Sequence, residues 1–541
     1  MPDPVNFRYR ISQLLVLSLA AVALYGPFLS SPPVFDDHGF FDAAHPEYLQ
    51  TVFGFELRWL PYATFEWTRA LVGDDMIWLR SGNLALHVAS GFLLFLFLRR
   101  LFEIVVLAEG TAATHSSHRD RLSLSWLAFS GAIIFVLHPA AVYGVAYLIQ
   151  RTILMATLFA LLAWSLFLEG LIRNKQRWLL ASAAAYLLSA LSKEHAIMVP
   201  AVSFALFFLV RKPDWPSLAR AMPIFLLYGL VGAFIVFRIK SGNVLGNAYE
   251  PNGAVMLAAL TIDAEEVYPL SILTQCYLYF KYLFLWLVPD TSLMSVDMRE
   301  DLAAGFWVWP ETAGLAAFVL YPVVAGYLLF KRGKTGLLGF AMLGPWLLFA
   351  TELSTVRIQE SFVIYRSYLW MPCIAAGFPF VFQKLPARHA IAILATVTLV
   401  FIPLAWNRLT TFSDPVLLWS DALRLAMSTK NKAGVGRIYH NRGVAYLNKK
   451  HYQEAIRDFD VGIALLPKHS LIYNDRAVAY LETGRYLEAL NDFDTAIWFD
   501  PGYYNPYLGR AQVFEALGNP DAARRDYARS CELGVREVCN K

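Results

Sequence analysis

Charge is scarce in this sequence. Asp, Glu, Lys and Arg together make up 16% of its 541 residues, against about 25% in soluble domains. The shortage is local. Residues 1–410 hold long apolar runs, whereas 411–541 read like an ordinary soluble domain, and that shift marks the main domain boundary. Net charge is only +4, which excludes a broad basic surface for nucleic acid. Cysteine is equally rare: there are four, none at zinc-finger spacing. No P-loop, HExxH or GxSxG motif occurs. Nothing therefore points to nucleotide binding, and a reaction here has to draw its energy from an already activated substrate.

What the chain does have is apolar length. A spanning helix needs about 20 apolar residues. Candidate runs lie at 11–29, 82–102, 123–138, 151–171, 177–192, 196–211, 221–239, 268–288, 312–331, 336–351, 364–382 and 389–406. The first follows Arg8 and Arg10 and reads as an uncleaved span rather than a signal peptide. Segments 56–72 and 139–150 are amphipathic or apolar and are expected along the membrane interface. Basic clusters such as Arg99/Arg100, Arg173–Arg177, Lys331–Lys334 and Lys384–Arg388 belong on the cytoplasmic side. Loops 30–75, 139–150, 192–196, 240–267 and 352–363 then face outside, and the two longest could cover an active site. Loop 289–310, poor in basic residues, also reads as external, which favours eleven crossings over twelve and an external C-terminus. The expected fold is all-α: a polytopic membrane bundle over 1–410, a linker helix over 411–435 and a helical solenoid over 436–541.

The tail repeats with a 34-residue period. Tyr439, Tyr473 and Tyr507 fall in step, as do Arg442, Arg476 and Arg510. Gly443, Ala477 and Ala511 supply a small residue, and Phe459, Phe493 and Tyr527 an aromatic. Three such units are tetratricopeptide (TPR) repeats, helix–turn–helix pairs with a concave face that holds a peptide or protein. Tyr439, Asn441, Arg442, Tyr473, Arg476, Tyr507 and Arg510 are the candidate partner-binding residues; the alternative is a structural cap or an oligomerisation surface. Cys531 and Cys539 are two minor thiols in a reducing compartment, and outside it they can pair, as in bacterial-type helical repeats with C-x7-C that this tail resembles.

Ionisable groups at span ends are costly and therefore candidates for function. Four groups fall on the external side. Asp36-Asp37-His38 follows the first span; the pair reads as a base, a metal ligand or an Asx-turn cap. His138-Pro139 should stop the third span at the outer surface, and Arg151 opens the next; its fork suits a phosphate, or it snorkels. Lys193-Glu194-His195 sits in a tight turn, functional or simply an ion pair closing a hairpin. Glu352, Arg357, Glu360 and Arg366 form either a site for an anionic lipid headgroup or mutual ion pairs. Together they suit a phosphate-linked lipid donor and a hydroxyl acceptor.

In their order along the chain these features resemble the GT-C glycosyltransferases, most closely the transmembrane and TPR-containing O-mannosyltransferases and their bacterial relatives. The resemblance rests on the first-loop Asp-Asp, the His-Pro with Arg151, Lys193-Glu194, the motif near 352–368 and the repeats. It implies transfer of a sugar from a polyprenyl-phosphate carrier to an acceptor outside the cytoplasm. By position Asp36 or Asp37 is the catalytic base, and His138, Arg151, Lys193, Glu194 and Arg366 line the donor-phosphate and acceptor sites. Gln150-Arg151 and Tyr365-Arg366 look bacterial, which implies an undecaprenyl-phosphate donor, an inner-membrane location and periplasmic repeats. A lipid-monophosphate donor requires no cofactor or divalent metal, although the Asp pair leaves room for one. The expected partners are the donor, membrane lipid and a protein acceptor held by the repeats. The rival reading is a membrane scaffold or transporter whose repeats recruit a partner. Transporters keep their ionisable groups near mid-membrane, and here they lie at span ends.

Overall fold

Lipid offers no hydrogen-bond partners, so a chain this apolar can cross it only as helices that satisfy their own backbone. The computed structural model describes residues 4–41, 45, 47–50, 54–107, 118–211, 214–240, 263–357, 360–427 and 432–539. It is all-α, a multi-pass membrane bundle and a TPR solenoid. Contacts divide the chain into two units: one formed by Ser295–Asp301 with the chain from Asp414 onward, the other by the remaining described residues up to Ser413.

In the membrane unit seven helices are long and apolar enough to cross, or eight if the bent pair Arg121–Leu137 and Pro139–Val145 counts as one span. The eleven crossings expected from apolar runs are thus more than these helices supply among the described residues. Three runs account for much of the difference. The helices Gln176–Ser192 and Val199–Val210 have 17 and 12 residues. Segment 364–382 is no single helix but two 3-10 stretches, Ile364–Leu369 and Met371–Gly377, ahead of a four-residue turn, Phe378–Val381. Segment 139–150 is not a surface helix either. It folds into short helical turns and is buried at every position from 139 to 148. Segment 56–72 contains an amphipathic helix, Trp59–Val72, which buries Trp59, Pro61, Ala63, Phe65 and Glu66. Loop 240–267 lies mostly outside the described residues.

The second boundary also moves. The last membrane helix, Ala387–Phe412, runs past residue 410. No single linker helix spans 411–435: Pro415–Ala426 is a separate helix, capped by the Asp414 carboxylate, and the first repeat helix already begins at Lys432. The repeat helices are Lys432–Asn448, Tyr452–Leu465, Ser470–Glu482, Tyr486–Phe499, Tyr504–Ala516 and Pro520–Glu532. Gly443 shows why the position is small: a Cβ there would come within 2.6 Å of the Phe459 ring.

The repeat arginines are committed to the solenoid rather than presented to a partner. Arg442 forks onto Asp458, Arg476 onto Asp492 and Arg510 onto Asp526, each at 2.7–2.8 Å. Arg476 also donates to Asp460 of the preceding repeat at 2.6 Å, and Arg510 reaches Asp494 in the same way. Each arginine therefore ties the two helices of its own repeat, and the second and third also tie repeat to repeat. Tyr473 and Tyr507 donate to the carbonyls of Pro467 and Pro501, which close the preceding units. Tyr439 packs against the Arg442 guanidinium, 5.6 Å from ring centre to carbon, and Asn441 is half-buried. Cys531 and Cys539 form a disulfide with Cα atoms 5.1 Å apart, pinning the chain's return through Gly534 onto the last helix.

Segment Ser295–Asp301 belongs to this unit, which sequence inspection missed. Asp297 accepts from Arg299 at 2.7 Å and from Arg437 at 2.9 Å. Its burial would raise its carboxyl, but the two guanidiniums outweigh that and hold it below the usual range.

Removing a ladder arginine strands a buried carboxylate. Asp492 is only 2% exposed, so Arg476→Ala is expected to destabilise the repeat unit by about 3 kcal/mol. Arg457→Ala, whose side chain is 72% exposed, should change little. Calorimetry of the full chain in detergent checks this, and equal melting shifts for the two variants would contradict the ladder.

Candidate functional site

The first helix leaves the bundle into a segment held from three sides. Arg80, 4% exposed within an apolar helix, donates to the carbonyls of Ser31 at 3.1 Å and Pro32 at 2.6 Å, and also to that of Ala146. Asp37 is fully buried. Its two oxygens accept from the backbone N–H groups of Val34 at 3.0 Å and Ile149 at 2.9 Å. Asp36 is exposed, and its backbone N–H donates to the Tyr147 hydroxyl at 3.1 Å. Phe35, directly before it, has φ of 54°, a left-handed backbone that bulky side chains rarely adopt. The adjacent aspartates thus differ in kind. Asp37 is a clamp between two chain segments, and Asp36 is the carboxylate left on the surface.

Of the expected donor-site residues, two are turned into the protein. Arg151, expected to fork onto a phosphate, is 2% exposed. It donates to Asn83 at 2.8 Å, Thr64 at 3.0 Å and the Leu79 carbonyl at 2.6 Å, with its guanidinium 3.6 Å over the Phe65 ring. Gly82 makes room for it, since a Cβ there would lie 2.7 Å from the guanidinium. His138, expected at the outer surface, is 1% exposed. Its Nδ1 accepts from the Ala140 N–H at 3.1 Å, so Nε2 carries the proton that it donates to the Trp286 carbonyl, also at 3.1 Å. Its ring stacks on Trp286 at 4.3 Å. Both residues fasten helices together, because the interior gives them protein partners and no open face.

The other expected residues do come together. Glu194 forms a two-point ion pair with Arg58, at 3.1 Å through Nε. Arg366 reaches Glu352 and Glu360, each at 3.1 Å. Fully buried Glu352 also holds His195 at 3.0 Å and Arg357 at 3.5 Å. Lys193 has no ion pair within 4 Å among the described residues; its ammonium lies 3.5 Å from the Thr152 hydroxyl and 5.7 Å over the Tyr365 ring. Burial and the nearby Arg58 push its pKa down to about 7. The Tyr365 ring in turn meets Tyr147 at 6.0 Å, so an aromatic contact links this cationic wall to the loop that carries Asp36.

Beside the wall is a cavity of about 530 Å³, with apolar sides from Leu57, Ile197, Val236 and Ile239 and a charged rim that includes Arg58 and Arg357. Arg58, Arg80 and Tyr147 were not foreseen. Arg80 lies just before the apolar run 82–102, and an ionisable group at a span end is itself a signal. Neither Arg58 nor Tyr147 carries such a mark.

The tetratricopeptide repeat family matches residues 436–469. A Caenorhabditis elegans protein named as a protein O-mannosyl-transferase is 20% identical over 338 residues, covering 61% of this chain and 46% of that protein. The chain resembles a protein O-mannosyl-transferase. It spans about half the length of that relative. Among solved structures, the second TPR of Spaghetti bound to an HSP90 peptide is 28% identical, covers 18% of this chain and 91% of its own, and has a TM-score of 0.18. The Arabidopsis OM64 TPR domain is 22% identical, covers 20% of this chain and 90% of its own, and has a TM-score of 0.20.

The two aspartates can be separated by stability. Burial raises the Asp37 carboxyl to about 6, against the pull of Arg80 and two backbone N–H groups. A carboxyl raised in the folded state binds its proton more tightly there than in the unfolded chain. Its favourable contribution is complete below 3.8 and is lost as pH rises through about 6. Asp37→Asn should remove that pH dependence and cost about 1–3 kcal/mol, because one of the two buried N–H groups then faces an amide NH₂. Asp36→Asn should leave the melting temperature unchanged. Identical melting curves for both variants across this pH range would refute the division of roles.

Proposed function

We propose that the chain is a glycosyltransferase that moves a sugar from a polyprenyl-phosphate donor to an acceptor hydroxyl on the periplasmic side of a bacterial inner membrane. The observation that carries the reading is the exposed Asp36 carboxylate, held on a strained, clamped loop that is joined through Tyr147 and Tyr365 to a wall of cations. The distant likeness to an O-mannosyl-transferase supports the reaction class. Asp36 takes the proton of the acceptor hydroxyl, whose oxygen attacks the anomeric carbon in line. The bond from that carbon to the phosphate oxygen breaks, and the lipid phosphate leaves with the electron pair. Lys193 is the cation assigned to the leaving phosphate, because the Arg366 fork is already filled by Glu352 and Glu360. The apolar sides of the cavity suit the isoprenoid chain.

The disulfide Cys531–Cys539 supports repeats exposed to an oxidising compartment. Repeats there would hold a protein bearing the acceptor Ser or Thr. Since their arginines are engaged within the ladder, an acceptor would be read by other side chains of the concave face.

Purified full-length protein, incubated with bacterial polyprenyl-phosphate sugars and candidate envelope proteins, should add hexose mass detectable by intact mass spectrometry. Asp36→Asn should lower the rate by about 10²–10⁴-fold, the usual worth of a general base, while donor binding persists. Lys193→Met should weaken donor binding. Wild-type transfer by Asp36→Asn would remove the base assignment, and absence of both transfer and donor binding would favour the scaffold reading.

A further inference from the structure

The loop carrying Asp36 is gripped by Arg80, by Asp37 and by Tyr147, and the third grip is of a different sort. Arg80 and Asp37 bind the backbone on either side of the aspartate: Ser31, Pro32 and Val34 before it, and through Ile149 the segment opposite. Tyr147 alone among these binds Asp36 itself, through the backbone amide. Its ring is 1% exposed and lies 6.0 Å from both Phe35 and Tyr365. Packing accounts for the ring, and a phenylalanine would pack as well. Packing does not account for the hydroxyl. The groups whose charge bears on it are Asp36, Asp37, Glu360 and Tyr365, with Lys193 beyond the Tyr365 ring.

We propose that Tyr147 is a positioning residue, whose hydroxyl fixes the direction of the Asp36 carboxylate by accepting the Asp36 amide and holding Phe35 in its left-handed conformation. This deepens the function proposed above and rests on Asp36 being the base. A phenol oxygen has one proton to give and two lone pairs. With the amide N–H on one lone pair, the hydroxyl acts toward Asp36 as an acceptor. Without the hydroxyl, the left-handed backbone at Phe35 loses the one of the three grips that acts on Asp36 directly, and Asp36 turns more readily.

The test uses the full chain in detergent and the variant Y147F, which keeps the ring and removes one oxygen. Asp36 is labelled with a water-soluble carbodiimide and an amine, and the rate is read by peptide mass spectrometry. Y147F should change the Asp36 labelling rate by about two- to tenfold, the population change that one hydrogen bond supports. In sugar transfer the same variant should lower kcat by a similar factor at unchanged donor KM. Hydrogen exchange at the Asp36 amide of the wild-type protein reads the contact without any variant and should show protection. Unchanged labelling in a folded Y147F, or an unprotected wild-type amide, would overturn the positioning role. Changed labelling with no transfer by the wild type would uphold the positioning of Asp36 and instead remove the proposed reaction.

Discussion

A carboxylate or guanidinium carried into the interior of a membrane protein has to be met by protein, because lipid supplies nothing to meet it. Glu352 is the clearest instance. Fully buried, it is surrounded by Arg366, Arg357 and His195, and these come from the 352–366 stretch and from the turn after the Gln176–Ser192 helix. Loss of that one carboxylate would leave three basic groups facing each other in a medium of low dielectric, where a stranded charge costs about 3–5 kcal/mol. Glu352 thus decides where the broken segment 364–382 can sit. That segment in turn supplies Tyr365 to the wall and Ser367 to Trp286.

The same requirement sorts the candidate residues into fasteners and exposed groups. Arg151 and His138 are fully engaged by Asn83, Thr64, Leu79 and Trp286 and have become part of the scaffold. Arg366 is engaged by two acids. Asp36 is the exposed member of the expected set, and buried Lys193 rests on the Thr152 hydroxyl and the Tyr365 ring rather than on an acid; one is an anion and the other a cation. Chemistry that separates a proton from a hydroxyl while charge collects on a phosphate needs that pair of signs.

How much of this could be read in the residues depends on range. The helices of the membrane unit follow from apolar length, and the solenoid from a 34-residue period, since both are local patterns. The clusters at 193–195 and 352–366 were legible as costly charges, but whether they faced a ligand or each other was not, because pairing is a long-range property: Glu352 finds His195 across 157 positions. The crossing count exceeds the seven or eight long apolar helices among the described residues for a related reason. Apolar residues that pack inside the protein, as at 139–148, look the same in sequence as apolar residues that face lipid. In the repeats the opposite held. Asp458, Asp492 and Asp526 recur in step with Arg442, Arg476 and Arg510, so the ladder was written in the period. Read without their aspartates, the arginines looked unengaged.

Strain at Phe35 gives the loop its meaning. A non-glycine residue in the left-handed region costs on the order of 1–3 kcal/mol and persists only where its surroundings over-determine it. Here the surroundings are Arg80, Asp37 and Tyr147, and each hydrogen bond they make is worth about 0.5–1.5 kcal/mol net. A loop whose task was only to connect two helices would relax to an ordinary φ and release those side chains. Arg58, with φ of 62°, is a second left-handed residue, held by its ion pair to Glu194. Two strained residues, each adjacent to an ionisable group of the same cluster, mean that the positions of those groups are held against the local preference of the backbone. Preorganisation of this kind places charge before a substrate arrives, and it is what a site built to stabilise a transient separation of charge requires.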